Sequence, residues 1–195
     1  MSQQRLIIGI TGASGVVIGV RLLELLQNSD IETHLVISKA AEMALAYETD
    51  LDAKHVRALA SHHHATGALG ASISSGSFPT MGMVIAPCSI RSMSEIATGV
   101  TTTLLTRAAD VVLKERRRLV LALRETPLHL GHLRTMTALA EMGAIIAPIA
   151  PAFYPCPETV DDIVNQTAGR LLDLFGIDTP AVRRWEGPDR NVTAT

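Results

Sequence analysis

The chain has 195 residues, enough for one sizeable hydrophobic core and short for two, so a single domain is expected. Its formal net charge of -2 excludes the basic field that a nucleic-acid or anionic-membrane surface requires. With 47% hydrophobic residues against 18% charged, little polar surface is available to cover a monomer, which favours burial between copies of the chain and small molecules as its other partners.

The N-terminal sequence MSQQRLIIGITGASG lacks a basic segment, a long apolar stretch and a cleavage site, so no export is expected and the reading is cytoplasmic. RLIIGIT (5–11) is a short apolar run; after it, apolar residues at helical spacing fill 16–27 and NSD supplies a stop. THLVIS (33–38) is the second run, followed by helical patterns over 39–47 and 52–60. The stretch HHHATGALGASISSGSFPTMG (62–82) is small, polar and glycine-rich, and reads as a long functional loop. GMVIAP (82–87), RLVLAL (118–123) and GAIIAP (143–148) are three more runs, with helices expected over 102–116 and 130–142. A last helix over 158–175 has Pro157 and Glu158 at its start and Gly176 past its end. The final residues of the tail after Pro180 are expected to be disordered.

Runs apolar at successive positions mark strands buried on both faces, and their alternation with helices defines an α/β fold with a doubly wound parallel sheet, Rossmann-like and flavodoxin-like in type. The apolar stretch GAIIAPIAPAF is broken by Pro148 and Pro151 and falls short of the ~20 residues that a spanning helix needs, so no membrane crossing is expected.

Residues 9–23, GITGASGVVIGVRLL, space Gly9, Gly12 and Gly15 as neither the dinucleotide fingerprint nor the P-loop. Gly12-Ala13-Ser14-Gly15 follows a buried strand and opens a helix, so its backbone N–H groups stand at the positive end of the helix dipole and Ser14 adds a hydroxyl. That is an anion site; the same residues also suit a tight turn that needs small side chains for packing alone. A dinucleotide site places Asp or Glu at the end of the second strand to hold a ribose, whereas Ser38-Lys39 stands here. Flavin mononucleotide (FMN), with one phosphate and an acyclic ribityl chain, needs no such carboxylate. Ser38 supplies a hydroxyl for it, and equally an N-cap for the next helix. PCSIRS (87–92) puts Ser89, Ile90, Arg91 and Ser92 at the third strand end, and LRETP puts Arg124 and Glu125 side by side at the fourth. One polar strand end means little; four in succession favour a site on the carboxyl edge of the sheet.

TRAADVVLKERRR (106–118) carries Arg107 and Lys114 two helical turns apart, on one face. Each cation alone reads more readily as a solvated flank, as does Arg170. His62, His63 and His64 are adjacent and diverge, with no Cys or carboxylate partner at ligand spacing, so they read as loop surface and no metal site is expected. His129 and His132 read as helix-start residues. Cys88 and Cys156 make no disulfide framework, which suits a reducing compartment.

With TGASG, SKAA, ETD, PCS, RAADVVLKERR, RETPLHLGHL, PAFYP and RRWEG in this order, from about residue 5 to 187, the chain resembles the UbiX family of flavin prenyltransferases. The resemblance implies a flavodoxin-like flavoprotein assembled as a trimer or dodecamer. It would transfer a dimethylallyl group from dimethylallyl monophosphate to flavin N5 and C6 of reduced FMN without metal, and release prenylated FMN to a UbiD-type decarboxylase in ubiquinone or aromatic-acid metabolism. Residues 1–178 would form the FMN-binding prenyltransferase domain, and the tail 179–195 would bring Trp185 to the site or to a subunit contact. By motif, FMN would meet Gly12, Ala13, Ser14, Ser38, Ser89, Ile90, Arg91, Ser92 and Arg124. The prenyl phosphate would meet Arg107, Lys114, Arg124, Tyr154 and Arg170, partly from neighbouring subunits, with Trp185 against the prenyl group. Glu48 and Glu125 would handle protons, with Ser14 nearby and Tyr154 at the leaving phosphate. Thr102 and Thr103 stand where relatives often carry Asp with Asn or Gly, and Arg91 replaces a frequent Lys.

No Asp-rich Mg²⁺ motif accompanies these cations, so arginine, lysine and a tyrosine hydroxyl are the groups available to stabilise a departing monophosphate. Two other readings remain. An FMN-dependent decarboxylase of the cysteine-decarboxylase class would carry an Asn-containing PASANT stretch where this chain has PCSIRS. A non-catalytic FMN carrier would explain the glycine turn and hydroxyls, but not Glu125 beside Arg124.

Overall fold

The computed structural model describes residues 3–187. In chain order the elements are β1 (Arg5–Ile10), α1 (Val16–Leu26), β2 (Glu32–Ile37), α2 (Lys39–Glu48), α3 (Ala53–Ala58), β3 (His62–His64), a 3₁₀ turn (Ser72–Ser74), β4 (Gly82–Cys88), α4 (Ile90–Ala97), α5 (Leu104–Lys114), β5 (Arg118–Leu123), α6 (Leu130–Glu141), β6 (Ile145–Ile146) and α7 (Val160–Asp173). The strands form one six-stranded sheet in the order β3-β2-β1-β4-β5-β6, every pair parallel. Helices cover both faces, as a doubly wound α/β domain requires.

The continuous apolar runs follow from that arrangement, because successive side chains of a strand enter opposite layers. Leu6, Ile8 and Ile10 of β1 pack with α1 and α7 through Leu22, Leu23, Ala168 and Leu172. Ile7 faces the other layer with Met83, Ile85 and the buried side of α5, Leu105, Ala108 and Val112. The order reverses between β1 and β4, which leaves a crevice at their carboxyl ends.

Two elements depart from the sequence reading. His62–His64, expected as loop surface, is an edge strand paired in register with β2, His34 opposite His62 and Val36 opposite His64. Its three polar residues carry no apolar signal; pairing with β2 makes it a strand. It also puts His62 and His64 on the same face as His34, so those two do not diverge. The second is α4, which was not expected between PCSIRS and the loop at 98–103. It buries Met93 and Ile96 three residues apart on one face, too short and polar a helix to stand out by periodicity. Among the described residues no helix is long and apolar enough to cross a membrane. The expected disorder concerned the last residues of the chain; 188–195 lie outside the described residues.

Candidate active site

The carboxyl ends of β1, β2, β4 and β5 surround one cleft of about 660 Å³. Gly12 and Ala13 line it after β1, Ser38 after β2, Ser89, Ile90, Arg91 and Ser92 after β4, and Arg124 and Glu125 after β5. The four strand ends singled out in the sequence therefore meet at the topological switch point. A cleft of this volume lies within the range of cofactor-sized sites.

The glycine turn differs in detail from the expected anion site. Gly15, the N-cap of α1, adopts φ 97°, a left-handed conformation that favours glycine. Its backbone N–H donates to Glu48 Oε2 at 2.8 Å and that of Val16 donates to the same oxygen at 3.2 Å. The anion held by the α1 N-terminus is thus the chain's own Glu48 carboxylate, from the last turn of α2. Gly12 is required for close approach: a Cβ there would stand 2.3 Å from Ala40 Cβ, at the start of α2. The packing reading of the turn applies at Gly12, whereas at Gly15 the helix N-terminus takes an internal carboxylate. Ser14 is not among the residues lining the cleft, nor is Glu48, although Glu48 is fixed three residues beyond Gly12.

Ser38 and Ser89 are N-caps in fact: Ser38 Oγ accepts from Ala41 N at 3.1 Å and Ser89 Oγ accepts from Ser92 N at 3.3 Å while donating to Ser92 Oγ at 3.2 Å. One donor of each first helical turn is satisfied in this way. The N–H groups of Lys39 and Ala40, and of Ile90 and Arg91, have no helical acceptor and belong to residues that line the cleft. Two helix N-termini are therefore directed at the same space as the serine hydroxyls. The Arg91 guanidinium is well exposed and pairs with Glu95 at 2.8 Å.

Several site residues escaped the sequence reading. Thr11, fully buried, accepts at Oγ1 from Ser89 N (2.8 Å) and donates to Pro87 O (2.8 Å), tying the end of β1 to the end of β4. A register irregularity between Ile85 and Cys88 re-aims the end of β4 beside it. Thr66, in the long loop, donates to Ile37 O at 3.0 Å, and its carbonyl accepts from Leu104 N at 2.7 Å, which brings the loop and the start of α5 to the cleft with Thr103. The loop's length was a signal; which of its residues turns inward was not readable without the partner strand.

Arg124 and Glu125 are exposed and adjacent, and Glu125 Oε1 accepts from Thr126 N at 2.9 Å. The remaining cations are not among the residues that line the cleft. Arg107 pairs with Asp110 at 2.8 Å. Lys114 pairs with Glu115 at the far end of α5, about 14 Å along the axis from Leu105 at the usual helical rise. Arg170 pairs with Asp173 and lines a second, smaller pocket of about 210 Å³ with Pro148, Ile149 and Gln166. Tyr154 and Trp185 do come together, edge to face at 6.0 Å between ring centroids. Gln166 Nε2 donates to Tyr154 Oη at 2.9 Å and Tyr154 Oη donates to Arg183 O at 3.3 Å, so α7 holds both the tyrosine and the tail.

A Rossmann-like sheet with a polar cleft of this kind at its switch point defines a nucleotide-binding α/β protein, and the Flavoprotein family matches residues 1–172 of the chain. The chain is 58% identical over 187 residues to the flavin prenyltransferase UbiX of Escherichia coli (strain K12), covering 94% of this chain and 99% of that one. A crystal structure of AnUbiX in complex with FMN and dimethylallyl pyrophosphate matches with a TM-score of 0.95 and 45% identity, over 96% of this chain and 100% of that chain. That of a dodecameric FMN-dependent UbiX-like decarboxylase from Escherichia coli O157:H7 matches with a TM-score of 0.92 and 49% identity, over 94% and 100%. The chain belongs to the UbiX family of flavin prenyltransferases.

Proposed function

We propose that the chain transfers a dimethylallyl group from dimethylallyl monophosphate to flavin N5 and C6 of reduced FMN, releasing phosphate and prenylated FMN. The observation that carries this reading is the cleft itself: hydroxyls and two helix N-termini converge on it, and Arg124 and Glu125 stand together at its edge. The donor set fits one phosphate and a ribityl chain, since Ser38 occupies the strand end where a ribose-binding carboxylate would stand. Gly12, Ala13, Ser14, Ser38, Ser89, Ile90, Arg91, Ser92 and Arg124 would hold FMN. The flavin supplies the nucleophilic nitrogen and ring carbon that the prenyl group joins.

The chain's own residues supply charge and protons. Arg124 balances the negative charge that grows on the departing phosphate, an effect strongest where water is excluded. Arg107, Lys114 and Arg170 add to it, and the placement of Lys114 at the far end of α5 supports a contribution to a neighbouring copy's cleft in a homo-oligomer, trimer or dodecamer. Exposed Leu130, Leu133, Met142 and Phe153 are apolar surface for such an assembly. Tyr154 donates its hydroxyl to the phosphate once released from Arg183 O, and Trp185 offers an aromatic face to the allylic cation character of the prenyl group. Glu125 donates a proton to the leaving phosphate and Glu48, steadied by two N–H donors, accepts one, with Ser14 taking part beside them. The product passes to a UbiD-type decarboxylase of ubiquinone or aromatic-acid metabolism, in the cytoplasm.

The test is anaerobic incubation of the protein with reduced FMN and dimethylallyl monophosphate, followed by mass measurement of the flavin. A flavin heavier by one prenyl unit, lost in Glu125→Gln, supports the assignment; unchanged flavin despite tight binding overturns it. The diphosphate donor, run in parallel, decides between the two leaving groups.

A further inference from the structure

The proposed reaction leaves unused a second polar cluster at the opposite edge of the sheet. Glu32 is the first residue of β2 and His34 follows two residues later on the same face. His62 lies opposite His34 on β3. Glu32 Oε1 is 2.8 Å from His34 Nε2 and 3.4 Å from His62 Nε2, and the three ligand atoms all lie within 4.8 Å of one another. Because a strand rises about 3.3 Å per residue, Glu32 stands about 20 Å and His34 about 13 Å from Ser38 at the other end of β2.

We propose that Glu32, His34 and His62 form a binding site for a divalent transition-metal ion, with zinc the ion best suited, separate from the prenyl-transfer cleft. Two imidazoles and one carboxylate are a borderline donor set of the kind zinc takes. Tetrahedral zinc with bonds of about 2.0–2.1 Å holds its ligand atoms about 3.3 Å apart, so the spacing here needs only small side-chain rotations. His34 Nδ1 is 3.0 Å from His64 Nε2, which fixes the His34 ring and leaves its Nε2 aimed at the ligand position. His62 and His64 both stack against His34, and Phe78 meets its ring edge-on, which restricts the rings further. Arg5 Nε, 3.1 Å from the same Glu32 Oε1, competes for that oxygen; it is held over the Phe78 ring at 4.7 Å and would shift to the other carboxylate oxygen when the ion binds. His62 and Glu32 are not fully buried, so the ion has an entry path and water completes its shell. An ion here clips the edge strand β3 to β2, four residues ahead of Thr66 in the cleft.

The experiment is zinc titration of the chelator-treated full-length protein against a chromophoric competitor, with anomalous diffraction at the zinc edge to place the ion. One ion per chain at Glu32, His34 and His62 is expected, with affinity at least tenfold weaker in His62→Ala and Glu32→Gln and unchanged in His63→Ala, whose side chain points to the other face. Zinc should also raise the melting temperature of the unaltered protein and not of His62→Ala. Anomalous density only elsewhere, such as at the stacked His129 and His132, or equal affinity in His62→Ala, would overturn the assignment. Prenyl transfer by His62→Ala is expected to match the unaltered protein, so this result is independent of the reading of the cleft.

Discussion

Glu48 and Gly15 are joined across the start of α1: the carboxylate of one accepts the backbone N–H of the other at 2.8 Å, and the N–H of Val16 at 3.2 Å. Gly15 has no side chain to cap its own helix, so a residue from the end of α2 does so. The contact fastens α2 to α1 and places a negative charge at the positive end of the α1 dipole.

Glu48→Ala removes the oxygen that accepts from both N–H groups, and with it the charge. A loss of about 1 kcal/mol is expected from the cap and dipole terms, equivalent to about 2–4 °C in melting temperature for a chain of this size. Glu48→Gln keeps one oxygen acceptor and should lose less. Thermal denaturation ranks the two variants, and prenyl transfer by Glu48→Gln separates holding from proton handling: activity lost at near-native melting temperature supports the proton role.

Gly12→Ala is expected to weaken FMN binding at least tenfold, because the new methyl would stand 2.3 Å from Ala40 Cβ and must push α2 away from the cleft. Ala40→Gly removes the opposing methyl. Flavin fluorescence titration of the single and double variants checks the cause: the double variant should recover most of the affinity, and a double variant as weak as Gly12→Ala would place the fault elsewhere.

The legible parts of this molecule are those where one residue's surroundings are set by its own stretch of chain. The apolar runs of β1, β2, β4 and β5 give themselves away because both faces of the sheet are covered, and Ser38, Ser89, Arg124 and Glu125 because they follow the last three of those runs directly. Partners distant in sequence were not legible. That Glu48 would occupy the α1 N-terminus, that Thr11 would bridge two strand ends, and that His34 would gather His62 and His64 into a strand each depend on sheet order. Lys114 shows the opposite failure: helical spacing puts it on one face with Arg107, but says nothing of how far along the helix the cleft extends.

Cys88 is fully buried at the end of β4, and burial pushes its thiol pKa up to about 12, whereas Cys156 is exposed. A thiol in that state is protonated at neutral pH and out of reach. An aromatic disulfide reagent should therefore titrate one thiol in the folded protein and two after denaturation. Labelling followed by peptide mass mapping should find the native label on Cys156; a native label on Cys88 would mean that the end of β4 opens.

Asp173 anchors the tail. Arg184 donates to both of its carboxylate oxygens at 3.0 Å, and Arg184 beside it holds the Asp173 pKa below the ordinary carboxylate value. A depressed folded-state pKa means that the unfolded or released state binds the proton more readily. The stabilisation is therefore complete above the usual value of 3.8 and is lost as pH falls through the lower, folded value. Trp185, the single tryptophan, follows Arg184 directly and rests against Tyr154, so its fluorescence reports this anchor. Acid titration should show a reversible change in tryptophan emission below that pH, before far-UV circular dichroism reports loss of helix. Asp173→Asn should show the released emission already at neutral pH and no acid step. If the emission of Asp173→Asn at neutral pH matches that of the unaltered protein, the Arg184–Asp178 pair at 2.6 Å and the Tyr154, Gln166 and Arg183 contacts suffice to hold the tail, and the Asp173 charge is dispensable.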